Sequence, residues 1–543
     1  MNKLKLVNTK IFLVVLISLL IFIQGIFLLP AFDRDESRFA ASTKNMIESK
    51  DFIDIRLEDV PRYKKPIGIY WAQALSTIAL GKAPYNEIWT YRIPSLLGII
   101  LSIILIFSVT KKLFREKTAF LSIIFLLCSL LLISEIHQAK TDGFLYLYIN
   151  ICNFISLIKI DQFNQKKKDK DKLLTLLFWM SLGIGTIIKG PIILIFVGLP
   201  LLTYALVTKN FLLIKSFHSF GGYSIFFLIT LPWFIIITIQ SDGLFWYESV
   251  INDLLRKVSK GQESHGFPPG YYLILLFIFF WPGSSFIFSW AIDIYKNRKT
   301  IFVLDHKVLF LFCWLFPSFI LYELIPTKLP HYVLPCYTPL GILVSIFLLK
   351  KQKSSNFFNF KTFLSTLIFP LTYISLFLIS IYKYSSLTSE VYVAVVFLLL
   401  ILLMLLLQIR RKNLKSFVVA AVIFQVSVYF SIVHILNPHL NMFWISKNIE
   451  TIINEEKNIE NVYHSGFNEP SLVFYVGHQA MRISPELMVE KYNNNAKNIF
   501  VLTQKNMSKF LQLNDDREIN MIRSFTGFNY SQGRYMKFFI FKN

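Results

Sequence analysis

Long apolar blocks alternate with short polar ones along most of this chain. A helix rises 1.5 Å per residue, so about 20 apolar residues cross a hydrocarbon layer about 30 Å thick. Blocks that meet or approach that length lie at 11–30, 93–110, 119–134, 144–159, 173–189, 191–207, 220–240, 271–291, 307–325, 331–349, 361–382, 389–408 and 416–436. The pattern predicts about 13 transmembrane helices, two of them divided at Gly190-Pro191. Three polar stretches stand apart: 31–92, 241–270 and 437–543. In the first, Ser37 to Ser49 reads as helical. Pro66 to Leu80 reads as an apolar helix too short to span, suited to the membrane interface. In the last, Val473-Phe474-Tyr475-Val476, Ile499-Phe500-Val501-Leu502 and Phe538-Phe539-Ile540-Phe541 read as strands, and the helical stretches between them predict a small α/β domain.

Composition agrees. The 543 residues are 54% hydrophobic and 16% charged, whereas soluble domains carry about 25% charged residues. That excludes a soluble globular enzyme and a disordered chain. Four cysteines, Cys128, Cys152, Cys313 and Cys336, lie in or beside apolar blocks. They read as buried small hydrophobes, not a disulfide scaffold.

Charge sets the orientation. The net charge is +23. Lys111-Lys112 with Arg115 and Lys117, Lys166-Lys167-Lys168, Lys296 to Lys299, Lys350-Lys351 and Arg410-Arg411-Lys412 all fall on the side of Lys3, Lys5 and Lys10. By the positive-inside rule that side is cytoplasmic, and the three polar stretches lie outside. Membrane lipids with anionic head groups suit the basic loops. No basic helix with interleaved aromatics lies outside the spans, so nucleic acid is not an expected partner. Pro30-Ala31-Phe32-Asp33 makes a poor cleavage site, so the first block reads as an uncleaved helix.

The chemistry collects in the first outer stretch. Asp33-Arg34-Asp35-Glu36-Ser37-Arg38 places three acids and two arginines at the membrane interface, with Asp35 near a helix N-terminus. A capped, solvated turn explains the same spacing. Lys64-Lys65-Pro66 follows, and its lysines suit either snorkelling to head groups or contact with a lipid phosphate. No Gly-rich phosphate loop is present, and Asp33-Arg34-Asp35 is too short a match to the D-x-D pattern of nucleotide-sugar enzymes to carry weight.

Asp35-Glu36-Ser37-Arg38-Phe39 followed by Lys65-Pro66-(x)3-Tyr70-Trp71 resembles the aminoarabinose lipid A transferases and the related protein O-mannosyltransferases. Further motifs follow in order: Lys140-Thr141-Asp142, Ile188-Lys189-Gly190-Pro191, Leu231-Pro232-Trp233, Phe245-Trp246-Tyr247-Glu248, His265-(x)2-Pro268, Phe280-Trp281-Pro282 and Lys328-Leu329-Pro330-His331-Tyr332. The resemblance covers about residues 10–345. It implies an all-α polytopic membrane protein of the GT-C type. The transmembrane catalytic domain is 1–436, and a small α/β extracytoplasmic domain is 437–543. The implied setting is a bacterial inner membrane with the site facing the periplasm. The implied donor is a sugar on polyprenyl (undecaprenyl) phosphate. The acceptor is lipid A or a related glycolipid, with protein Ser/Thr as the alternative. A transporter is the non-enzyme alternative, but no internal repeat is visible and the acids cluster at the interface, not the midplane.

The resemblance also implies roles. Asp35 is the catalytic carboxylate and Asp142 a second one, unless Asp142 merely pairs with Lys140. Arg38, Lys65, Lys328, Tyr332 and Lys189 are candidates for the donor phosphate, with snorkelling the plainer role of Lys189. Asp33, Glu36, Lys64, Glu248, His265 and His331 are secondary candidates. The family often has an acid where Lys64 stands, which removes one metal ligand and adds a contact for an anion. No cofactor is required by this reading. A divalent metal is the alternative, with Glu248 and His265 a weak ligand signal.

Overall fold

The computed structural model describes residue 23 and residues 25–165, 171–259, 261, 265–297, 305–352, 357–456, 459–477, 480–494, 497–514 and 519–543. The block at 11–30 lies mostly outside them, as do the Lys166-Lys167-Lys168 run and Lys299. Among the described residues nine helices are long and apolar enough to cross a membrane, or up to eleven if each of two bent pairs is one span. Ile192–Thr208 is a shorter apolar helix beside them.

Two of the expected spans are these bent pairs. The block at 119–134 is Glu116–Leu127 and Leu130–Ile136, bent by 64°. At the bend the Ser129 hydroxyl donates to the Phe279 carbonyl (2.6 Å). The block at 271–291 is Tyr271–Phe279 and Gly283–Lys296, bent by 116°. Pro282 lies in the break, where a proline offers no N–H and clashes with the preceding turn. Gly190, with φ 66°, turns the chain between Lys172–Lys189 and Ile192–Thr208. That turn ends the first of these helices on Lys189.

The first outer stretch holds the helices Asp35–Ser49 and Gly68–Leu80, joined through a small hairpin of β1 (Arg56–Leu57) and β2 (Val60–Pro61). The second outer stretch carries Leu244–Trp246 and the wide-turned helix Tyr247–Leu255.

The C-terminal domain is a five-stranded sheet of β3 (Asn461–Ser465), β4 (Ala480–Arg482), β5 (Asn498–Thr503), β6 (Asn520–Asn529) and β7 (Arg534–Lys542), in the order β4-β3-β5-β7-β6. β4, β3 and β5 are parallel, and β7 and β6 add an antiparallel hairpin. The stretches at 499–502 and 538–541 are strands, as expected. The stretch at 473–476 is not: it lies in the helix Pro470–Val476. Proline at the first helical position starts a helix well. Leu472 and Val476 pack into the domain core, while Phe474 and Tyr475 pack on Ala31, Ala40 and Tyr91 of the first stretch. A helix buried on two sides is apolar all round, which hides its period.

Candidate active site

A cavity of about 470 Å³ lies where the stretches 31–92 and 241–270 meet the ends of the apolar helices. Its deeper wall is apolar, including Leu145, Ile149, Ile195, Phe196 and Leu334. Its head is charged. Among the described residues it is lined by Arg38, Arg62, Lys64, Lys65, Lys140, Lys189 and Lys257 against Asp35, Asp142 and Asp253. Positive charge therefore outweighs negative in this part of the lining.

Asp35 is the first residue of its helix and leaves half of its side-chain surface open to the cavity. Arg38, one turn on, stands 3.8 Å away. Burial pushes the Asp35 carboxyl up, but Lys140, His331, Arg62 and Arg38 together hold it below the usual carboxylate range. Arg62 is fixed by donating to the Tyr70 hydroxyl (2.8 Å) and by packing over the Phe39 ring at 4.9 Å.

Asp142 sits at the start of the helix Thr141–Asn164, 2.5 Å from Lys189 Nζ. Lys189 in turn lies 5.4 Å from the centre of the Tyr332 ring. Lys140 is not the partner of Asp142; its ammonium contacts Glu135 Oε1 at 2.9 Å and His331 Nδ1 at 3.1 Å. An ammonium only donates, so His331 Nδ1 accepts there and its Nε2–H faces Asp142 Oδ2 at 3.8 Å. His331 is thus built into the charged network, and it does not merely cap the helix entry.

Lys65 Nζ lies 2.5 Å from Asp253 Oδ2, and Lys257 Nζ lies 2.6 Å from Asp253 Oδ1. One carboxylate therefore holds two ammonium groups at the cavity wall. Burial pushes the Asp253 carboxyl up, but the two lysines hold it down at about 2. Burial, with Lys257 adding to it, pushes Lys65 down to about 8.

Several predicted residues lie elsewhere. Glu36 points away from the cavity into a fully buried pair with Arg92, at 2.8 and 3.0 Å. Arg92 also donates to the carbonyls of Ile26, Leu29 and Pro30, so this acid locks the chain into the helix. Asp33 faces the C-terminal domain, where burial pushes its carboxyl up to about 7 despite a hydrogen bond from Ser471. Lys328 is buried and donates to the Ile325 carbonyl at 2.5 Å, outside the cavity lining. Glu248 accepts from Asn252 (2.8 Å) and is likewise outside it. His265 and Lys64 line the cavity. Among the described residues no group of three or more His, Cys, Asp or Glu side chains is placed to hold a metal ion.

Sequence reading missed Asp253, Lys257, Arg62 and Glu135. Glu135 ends an apolar block, a position where an acid is costly and could have been flagged. Asp253 gave no such signal, because its partner Lys65 is 188 residues away.

The chain shares its fold with a solved protein. It superposes on ArnT from Cupriavidus metallidurans bound to undecaprenyl phosphate with a TM-score of 0.74, at 18% identity and 98% coverage of both chains. The family model for dolichyl-phosphate-mannose-protein mannosyltransferase matches residues 64–236. In sequence the chain is similar to the undecaprenyl phosphate-alpha-4-amino-4-deoxy-L-arabinose arabinosyl transferases. That of Wigglesworthia glossinidia brevipalpis is 26% identical over 339 residues, 61% of this chain and 58% of that protein. That of Pseudomonas aeruginosa strain LESB58 is 25% identical over 354 residues, 62% of this chain and 60% of that protein. The chain thus spans less than two thirds of the length of these curated relatives.

Proposed function

We propose that the chain is an inverting glycosyltransferase that moves a sugar from polyprenyl phosphate to lipid A or a related envelope glycolipid. The reaction takes place on the periplasmic face of a bacterial inner membrane. The observation that carries this is the two-part cavity: an apolar wall of lipid-chain character runs into a head lined by cations. A polyprenyl tail suits the wall, and a phosphate suits the head. The names of the curated relatives support the donor class.

In the reaction an oxygen of the acceptor attacks C1 of the sugar, the bond from C1 to the phosphate oxygen breaks, and polyprenyl phosphate leaves. Negative charge builds on that phosphate, and Lys65, Lys257 and Arg38 face it. Lys189, already paired to Asp142, orders the opposite wall. Asp35 is held ionised by its neighbours, which makes it a weak base and a good fixed charge. An acceptor phosphate is already ionised and needs no base. Asp35 then positions the acceptor and stabilises the positive charge that develops on the sugar. These steps draw on side chains of this chain alone.

Mass spectrometry of envelope lipids tests the proposal. Lipid A from cells carrying the chain should gain a sugar-sized mass that is absent from deletion cells and from cells carrying Asp35→Asn. Lipid A unchanged by the deletion would overturn the acceptor, and loss of O-glycopeptides in its place would establish the protein Ser/Thr alternative.

A further inference from the structure

The backbone that delivers Asp35 is strained, and a distant part of the chain holds it. Arg34 has φ 68° and ψ −101°. A residue with a Cβ rarely adopts that conformation, whereas glycine does so freely. This turn immediately precedes Asp35, the first residue of the helix Asp35–Ser49.

The C-terminal domain grips this turn at three points. The Ala31 amide donates to the Tyr475 hydroxyl (2.8 Å), the Asp33 amide to the Tyr530 hydroxyl (2.5 Å), and Arg34 Nη2 to the Ser531 carbonyl (2.9 Å). Tyr530 and Ser531 form the turn between β6 and β7. That turn is itself braced. Asn529 Nδ2 donates to Glu469 Oε1 (2.8 Å), the Gln532 backbone N–H donates to Asn529 Oδ1 (3.1 Å), and Tyr530 stacks on Phe443 at 6.1 Å. From the membrane side Arg92 holds the Pro30 carbonyl at 2.9 Å. The segment 30–34 is therefore clamped from both sides. Neither Tyr530 nor Ser531 lines the cavity.

We infer that Tyr530 is a positioning residue: through the Asp33 amide, and with Ser531 on Arg34, the C-terminal hairpin enforces the turn that aims the Asp35 carboxylate into the cavity. The inference rests on the proposed function for its kinetic consequence and on geometry alone for its structural one.

Two readouts on the purified full chain separate those dependences. The first is hydrogen exchange. Tyr530→Phe deletes one oxygen and should speed exchange of the amides at 31–38 at least tenfold, with the transmembrane helices unchanged. The second is kinetics, with undecaprenyl-phosphate-linked 4-amino-4-deoxy-L-arabinose as donor and lipid A as acceptor. Misplacement by about 1 Å can cost up to a hundredfold in rate. Tyr530→Phe should lower kcat about tenfold on that scale and leave the donor KM within about twofold. Unchanged exchange at 31–38 or a loss expressed in KM would each overturn the inference. Fast exchange in Tyr530→Phe beside a wild-type chain that transfers no sugar would leave the positioning standing and overturn the functional reading instead.

Discussion

Donor binding should weaken as pH rises through about 8, and the reason lies in one lysine. Lys65 is desolvated and stands near Lys257 and Lys189, so its ammonium loses a proton near pH 8 although Asp253 opposes this from 2.5 Å. Asp253 itself titrates at about 2 and stays ionised throughout. The sign follows: the phosphate contact needs the ammonium, so it is intact below pH 8 and lost above it. A group that must be protonated costs at most tenfold per pH unit above its pKa, which bounds the loss at pH 9.5 at about thirtyfold. The contact itself bounds the plateau at about 1.5–3 kcal/mol, since a hydrogen bond to a charged group is worth that much. Undecaprenyl phosphate binding to the purified protein, measured from pH 7 to 9.5, reads the effect above the second phosphate pKa of about 6. Lys65→Arg keeps its charge and should flatten the curve. Asp253→Asn removes the opposing carboxylate, so Lys65 should titrate lower and the affinity at pH 7.5 should already be reduced. A wild-type affinity that is flat to pH 9.5, or a Lys65→Arg curve with the wild-type slope, would refute the phosphate role of Lys65.

Asp35→Asn should abolish transfer while thermal unfolding in detergent stays within error of wild type, because the side chain is half open. Arg92→Ala should do the reverse: it leaves Glu36 buried without its partner, at a cost of about 3–5 kcal/mol, seen as a lowered unfolding midpoint and poor recovery of folded protein. For Asp33, burial at the domain contact raises the carboxyl to about 7. The protonated form is favoured when docked, so docking is tightest at low pH and weakens as pH rises through about 7. Limited proteolysis of the C-terminal domain at pH 5.5 and 8 should show this dependence in wild type and lose it in Asp33→Asn.

Periodicity and length were enough to read most of the spans, because a helix in lipid must be apolar over a fixed length. What they could not give was the bend at Pro282 or the helix at 470–476. A broken span has the same composition as a straight one, and a helix buried on two sides has no polar face to mark its period. The site was legible in part for a similar reason. Lys189 stood out as a charge where charge is costly, Lys65, Arg38 and Asp142 through the family resemblance, and the cavity brings all four together. Asp253 and Lys257 looked like ordinary loop charges, since only folding sets them against Lys65. Lys328, chosen through the resemblance, lies outside the cavity lining, because a buried ammonium can be satisfied by a carbonyl of its own loop.

The sharpest case is Asp33-Arg34-Asp35-Glu36, which reads as one acidic cluster and is divided three ways in space. Successive residues on a helix point about 100° apart, so Asp35 and Glu36 cannot both face the cavity. Glu36 takes the inner direction because Arg92 waits there with no water to compete. Asp33 precedes the turn at Arg34 and is carried to the C-terminal domain. One carboxylate opens to the cavity, one anchors the helix and one meets the C-terminal domain. Their neutral amides should therefore give three different phenotypes: lost transfer for Asp35, lost folding for Glu36, and altered pH dependence of docking for Asp33. A shared phenotype across all three would mean that the cluster acts as one electrostatic patch, and the separation of roles drawn from the geometry would fall.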